Sequence, residues 1–179
     1  AKDISGNGND GEESGGVDCT VAGVVGTACE FGGGSRIEIP DNDDLDFSPS
    51  ESFTVDFWVK YGDFPDSDFI NPIIIGKWQG TRDIGYSFYI QALNKDQVKF
   101  FRDSDSGSPI TLSYLSSMGS EWHHVAAVKD ATTNMMHLYI DGDLKGSISD
   151  TLTDSTENNK KIYIGARRDG TVPFTGLIA

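Results

Sequence analysis

The chain has 179 residues, 37% of them hydrophobic, which is enough for one domain with a substantial core and excludes a disordered segment. Fourteen Lys and Arg against 28 Asp and Glu give a net charge of -14, which argues against nucleic acid or an anionic membrane as partner and leaves cation binding open. No apolar run reaches the ~20 residues of a membrane helix, so no membrane insertion is expected. No charged-then-apolar leader precedes Ala1, so any export signal is expected upstream or already removed.

The first segment with chemical content is DISGNGNDG, Asp3 to Gly11. Asp3, Ser5 and Asn7 fall at alternate positions with Asn9 two further on, and Gly8 supplies a residue for a sharp bend. Oxygen ligands at this spacing suit calcium, so Asp3, Ser5, Asn7 and Asn9 are candidate ligands. The second half of an EF-hand is missing, since Ser14 stands where a bidentate Glu belongs. The competing reading is a Gly- and Asn-rich turn with positive φ angles and Asx hydrogen bonds.

Cys19 and Cys29 follow, at a spacing that matches no zinc pattern and with no His nearby. They read as a disulfide across a short hairpin, which would imply an extracytoplasmic setting, or else as two buried thiols. RIEIP then alternates as a strand. PDNDDLDF carries Asp41, Asp43, Asp44 and Asp46, either a second cation site or a one-turn helix capped by Asp. In SFTVDFWVKY, Phe53, Val55, Phe57, Val59 and Tyr61 share one face and Thr54, Asp56, Trp58 and Lys60 the other. NPIIIGKW, GYSFYIQAL, QVKFFR, ITLSYL, EWHHVAAVKD, MMHLYIDG, DLKGSIS, KKIYIGAR and PFTGLIA continue as short strands, separated by turn chemistry such as Asp141-Gly142. Asp103 and Asp105 suit a hairpin tip. Many short strands, no convincing helix, no internal repeat and no linker predict an all-β antiparallel sandwich or barrel over 1–179.

Taken in order, DISGNGNDG, GVVGTACEFGGGSRIEIPDNDDLDF, SFTVDFWVK, GKW, EWHHVAAVKDATTNMMHLYIDGDLKGS, IYIGAR and FTGLIA resemble the laminin-G-like jelly-roll domains of the concanavalin A-like lectin/glucanase superfamily. The resemblance spans nearly the whole chain. It implies two antiparallel sheets packed face to face, and calcium at the Asp3 loop, as in some members. Family members usually open with a strand before this loop and continue past GLI with an acidic pair and a last strand. The chain is therefore expected to lack the outermost first and last strands, as a clipped fragment or with another segment completing the sheet.

Glucanases of the superfamily carry two carboxyl groups about 5 Å apart on one strand. The Glu-x-Asp-x-x-Glu run that supplies them is absent, Glu12 and Glu13 are placed in a loop, and no nucleophile sits in an activating motif, so no enzyme activity is expected. His123 and His124 would point to opposite faces of a strand and, with His137, read as structural. Sugar binding needs exposed aromatic faces and planar polar groups. Trp78, with Gln79, Arg82 and Tyr86 nearby, is the first candidate; Tyr61 and Tyr114 are others, and Trp58 could form a surface platform. The expectation is a non-catalytic binding module of a secreted or cell-surface protein, taking a glycan with calcium assistance. The alternative is a structural or adhesive module that contacts extracellular protein or other domains of a larger chain.

Overall fold

A computed structural model describes residues 1–62, 72–77, 88–93 (backbone), 97–103, 109–115, 118–153, 157–168, 170 and 173–179. Its strands are β1 (Glu12–Ser14), β2 (Asp18–Ala22), β3 (Thr27–Phe31), β4 (Arg36–Ile39), β5 (Phe53–Tyr61), β6 (Ile73–Lys77), β7 (Phe88–Leu93) and β8 (Gln97–Arg102). They continue with β9 (Ile110–Leu115), β10 (Trp122–Asp130), β11 (Met135–Ile140), β12 (Asp143–Ser149), β13 (Ile162–Ile164) and β14 (Gly176–Ile178). The strands form two seven-stranded sheets, ordered β1-β4-β13-β6-β7-β8-β9 and β12-β11-β10-β5-β14-β3-β2, with antiparallel neighbours throughout. This is the expected β-sandwich.

Period-two patterning builds the core. On β5, Phe53, Phe57, Val59 and Tyr61 are buried while Thr54 and Asp56 are exposed, so the division of faces expected for this strand holds. Val125 and Ala127 on β10, Leu138 and Ile140 on β11, and Val98 and Phe100 on β8 meet them in one cluster with Phe31, Ile37, Ile74 and Phe174. The same alternation carries two cations inward. Arg102 follows Val98 and Phe100 at the next inward position of β8, and Lys129 follows Val125 and Ala127 on β10; both are buried. They meet Asp150, just beyond β12: one carboxylate oxygen contacts Arg102 Nη1 and lies 3.2 Å from Lys129 Nζ. One buried anion thus ties the two sheets together.

Three local readings are refined. Glu12 and Glu13 do not sit in a loop: they form β1, an edge strand paired with β4 in the register Glu12↔Glu38. An edge strand contributes little to a core, so its polar sequence carried no alternation to detect. The acidic segment does make one turn of 3-10 helix, Asp43–Leu45, but Asn42 rather than Asp caps it, accepting from the Asp44 N–H. Cys19 and Cys29 are bridged, joining β2 to β3.

Candidate functional site

Of the residues singled out for sugar contact, Trp78, Gln79, Arg82 and Tyr86 lie outside the described residues, as does Asp105. Tyr61 is buried in the core with its hydroxyl enclosed, so it presents no face to a ligand. Trp58 is placed on the outer face of the second sheet, as alternation along β5 requires, and is half-buried there.

The surroundings of Trp58 make it more than an isolated ring. The β5–β10 register sets His124 opposite Trp58, Trp122 opposite Lys60, and Ala126 opposite Asp56. The Trp58 and His124 rings lie 5.2 Å apart, and His124 Nε2 is 3.1 Å from Asp56 Oδ2. One strand further, Tyr139 of β11 pairs with Ala126 and His137 with Val128, their rings 6.3 Å apart. Ala126 therefore leaves a low point between Asp56 and Tyr139, walled by aromatic and imidazole rings. His123 turns the other way, as expected, with Nδ1 2.7 Å from Asp141 Oδ2; the other Asp141 oxygen accepts the His124 N–H at 2.9 Å. Partial burial works to raise the Asp141 pKa, but these hydrogen bonds prevail and hold it below the usual range. Asp141 itself sits in the Asp141-Gly142 turn at φ 54°, where its side chain can reach back to both histidines.

The Asp3 loop comes together as a unit. Asp3, Ser5, Asn7 and Asn9 line one cleft of about 400 Å³, with Asp44 on its wall and Ile37, Ile39 and Ile164 among its apolar lining. Asp3 is the hub: Oδ1 accepts the Ser5 N–H at 2.8 Å, and Oδ2 accepts the Ser5 hydroxyl at 2.8 Å and the Asn9 N–H at 2.9 Å. Its own N–H donates to Asp10 Oδ1 at 2.7 Å, and Asn9 Oδ1 accepts from Asn42 Nδ2 at 2.7 Å. Gly6 and Gly8 take φ of 92° and 80°. The Ser5 hydroxyl, then the Ser5 and Asn9 N–H groups, draw the Asp3 pKa down to about 2. All-oxygen donors suit calcium; here Asp3 also accepts from Ser5 and Asn9 within the loop, and Asn9 Oδ1 accepts from Asn42 outside it. The second acidic segment holds a cation from within: Lys77, fully buried, places Nζ 2.9 Å from Asp41 and 2.5 Å from Asp46. Among the described residues, no three acidic, His or Cys side chains are grouped to hold a metal.

The residues missed by the sequence reading are Trp122, Tyr139 and His124 as members of the Trp58 face. Their alternation was legible, but which strands lie beside β5 was not.

Among solved structures, the chain is similar to the binding domain of Paraclostridial Mosquitocidal Protein 1, with a TM-score of 0.76 and 20% identity over 99% of this chain and 45% of that one. It is also similar to the binding domain of botulinum neurotoxin serotype G, with a TM-score of 0.74, 16% identity, and 99% and 43% coverage. A third is a structure of botulinum neurotoxin type C, whose cell entry is dependent upon interaction with two ganglioside molecules; here the TM-score is 0.73 with 16% identity and the same coverage. The chain thus spans under half the length of these structures, and at such identities the likeness is one of fold. Among curated proteins, none matches the sequence. The laminin G family pattern of the concanavalin A-like lectin/glucanases superfamily matches residues 31–179, and the chain belongs to that family.

Proposed function

We propose that this domain is a non-catalytic carbohydrate-binding module of a secreted or cell-surface protein, and that the outer face of the second sheet is its sugar site. The observation that carries the proposal is the Trp58–His124–Asp56 group beside Ala126, with Tyr139 across the gap. The apolar face of a pyranose ring stacks on an aromatic ring, and its hydroxyls donate to carboxylates and exchange hydrogen bonds with imidazole nitrogens. The face supplies all three from adjacent strands, which hold the groups more rigidly than loops would. The botulinum type C protein, which interacts with gangliosides, lends support, since a ganglioside head group is an oligosaccharide. The Cys19–Cys29 bridge supports an extracytoplasmic setting. The non-catalytic part is supported by His123 and His124: each is held by its own carboxylate, on opposite faces of β10, so they do not converge on one bond.

The test is a glycan array followed by calorimetry on wild type, Trp58→Ala and His124→Ala. Binding of at least one glycan is expected, weakened about tenfold or more by Trp58→Ala while the circular dichroism spectrum is retained. A wild type that binds no glycan, or a Trp58→Ala variant that binds like wild type, overturns the assignment; a blank array turns attention to the protein-adhesive alternative. Further domains in the parent chain are part of the proposal, since the similar structures are more than twice as long. Calcium at the Asp3 cleft is a separate proposal that the sugar site does not need. It is supported by Asp3 and Asp44 lining one cleft, and a calcium titration that leaves the melting temperature unmoved removes it.

A further inference from the structure

A second surface of this acidic chain runs against its overall charge. On the outer face of the first sheet, a cleft of about 520 Å³ is lined by Arg36, Glu38, Lys160, Lys161, Tyr163 and Arg168, with Asn159. The chain has only 14 Lys and Arg, and four of them face this one cleft against a single carboxylate among the described residues.

The strand geometry explains the gathering. Alternation along β4 buries Ile37 and turns Arg36 and Glu38 outward. The register places Tyr163 of β13 beside Glu38, and Gly76 of β6 on its other side, where no side chain blocks the approach. Glu38 is fully engaged: Arg36 Nε and Nη2 reach Oε1 at 2.9 and 2.8 Å, and Lys161 Nζ reaches Oε2 at 2.9 Å. That network fixes Arg36 and Lys161 in place and engages the one carboxylate among the cleft's described residues. Among the described residues, no hydrogen bond or ion pair engages the side chains of Lys160 or Arg168. Glu12, on the edge strand opposite Glu38, is a further acid close enough to act on Lys161.

Two held cations, two uncommitted ones and a tyrosine at the floor make a built receptor for an anion, because Arg presents paired N–H donors to two oxygens of one acidic group. The chain as a whole, at a net charge of -14, repels a polyanion, so a compact acidic group on an otherwise neutral molecule is what this cleft can admit. We propose that the Arg36–Lys161–Tyr163–Arg168 cleft is a second glycan subsite that binds the acidic group, carboxylate or sulfate, of a charged sugar residue. The inference rests on the carbohydrate reading for the kind of molecule that carries the anion; the site itself lies on the sheet opposite Trp58.

The experiment is calorimetry at low and at physiological ionic strength with three probes: a neutral oligosaccharide, its sialylated form carrying a carboxylate, and its sulfated form. The proteins are wild type, the double variant Lys160→Ala/Arg168→Ala, and Trp58→Ala. One or both acidic forms are expected to bind wild type about tenfold more tightly than the neutral form at low salt, with the advantage shrinking as salt rises. Which acidic form wins identifies the group. The double variant is expected to lose that advantage while keeping its affinity for the neutral form and its melting temperature. Equal binding of neutral and acidic forms by wild type, no binding of the acidic forms, or an undiminished acidic preference in the double variant overturns the proposal. Failure of the sugar face shows elsewhere, as neutral binding untouched by Trp58→Ala, so the two outcomes are separable.

Discussion

Replacing Asp150 by Asn removes the only anion among the described partners of two buried cations. Arg102 is fully buried and Lys129 is 1% exposed. Burial draws the Arg102 pKa down only to about 10, so it is charged at neutral pH. Arg102 Nε and Nη2 find no hydrogen-bond partner among the described residues, and its guanidinium carbon lies 5.6 Å from the centre of the Phe53 ring. Asp150 Oδ2 serves both cations while Oδ1 accepts the Leu152 N–H at 3.1 Å. Breaking a buried ion pair by removing one partner costs roughly 3–5 kcal/mol, and here the loss strands two like charges instead of one. For a domain of this size that is roughly 6–20 °C in melting temperature. Urea unfolding followed by tryptophan fluorescence measures it, with an unchanged m-value expected. Lys129→Met is the informative partner: it leaves a neutral Arg102–Asp150 pair and removes like-charge repulsion, so its cost should be below about 1 kcal/mol or reversed in sign. An Asp150→Asn loss under about 1 kcal/mol, or a Lys129→Met loss equal to it, refutes the view that one carboxylate balances the cluster.

Three further outcomes follow from local geometry. The Asp3 carboxyl, observed by NMR, should titrate near pH 2: because its folded pKa is depressed, its contribution to stability is complete above the ordinary carboxylate pKa and is lost as pH falls through about 2. A titration near 4 would dissolve the loop's hydrogen-bond hub. Gly176→Ala, at φ 141° with the added Cβ 2.3 Å from the Lys60 carbonyl oxygen and 2.8 Å from the Gly62 nitrogen, should cost roughly 2–4 kcal/mol by denaturant titration. Neutral behaviour would mean that β14 does not lie against β5. Replacing both Cys19 and Cys29 by Ser should cost about 3 kcal/mol on the loop-entropy account of a ten-residue separation, and intact mass should rise by about two hydrogens when the wild type is reduced. Equal stability of variant and wild type would place the hairpin's order in the unfolded chain as well.

The strands that build the core were legible because each of β4 to β14 carries its own signal, an alternation or an apolar run bounded by turn residues, and a sandwich is the packing such strands allow. The edge strand β1 escaped because it has no buried face to announce it. The site was only half legible for a different reason. Trp58 facing outward is a local consequence of β5, readable from Phe57 and Val59 on either side. That His124 stacks beside it, Asp56 holds the imidazole and Tyr139 stands across Ala126 depends on β10 lying between β5 and β11, a fact about pairing that no single strand encodes. The acidic segment shows the same limit from the opposite side. Asp41 and Asp46 looked like ligands awaiting a cation because the cation that fills the space, Lys77, lies more than thirty residues away in sequence.

Charge placement ties these observations together. A chain with twice as many acids as bases can leave most acids in solvent at little cost, but it must spend its cations selectively. Three of them, Lys77, Arg102 and Lys129, are buried and matched to acids at the sandwich interior and beneath the 3-10 turn. Four more are gathered on one cleft of the first sheet, where Glu38 is the one acid among the described lining residues. The buried three have structural partners that account for their positions. The cleft cations outnumber the one carboxylate described beside them, an imbalance that an external anion would complete. That asymmetry, rather than the number of basic residues, is why the first sheet's outer face is read as a ligand site and the sandwich interior as scaffold.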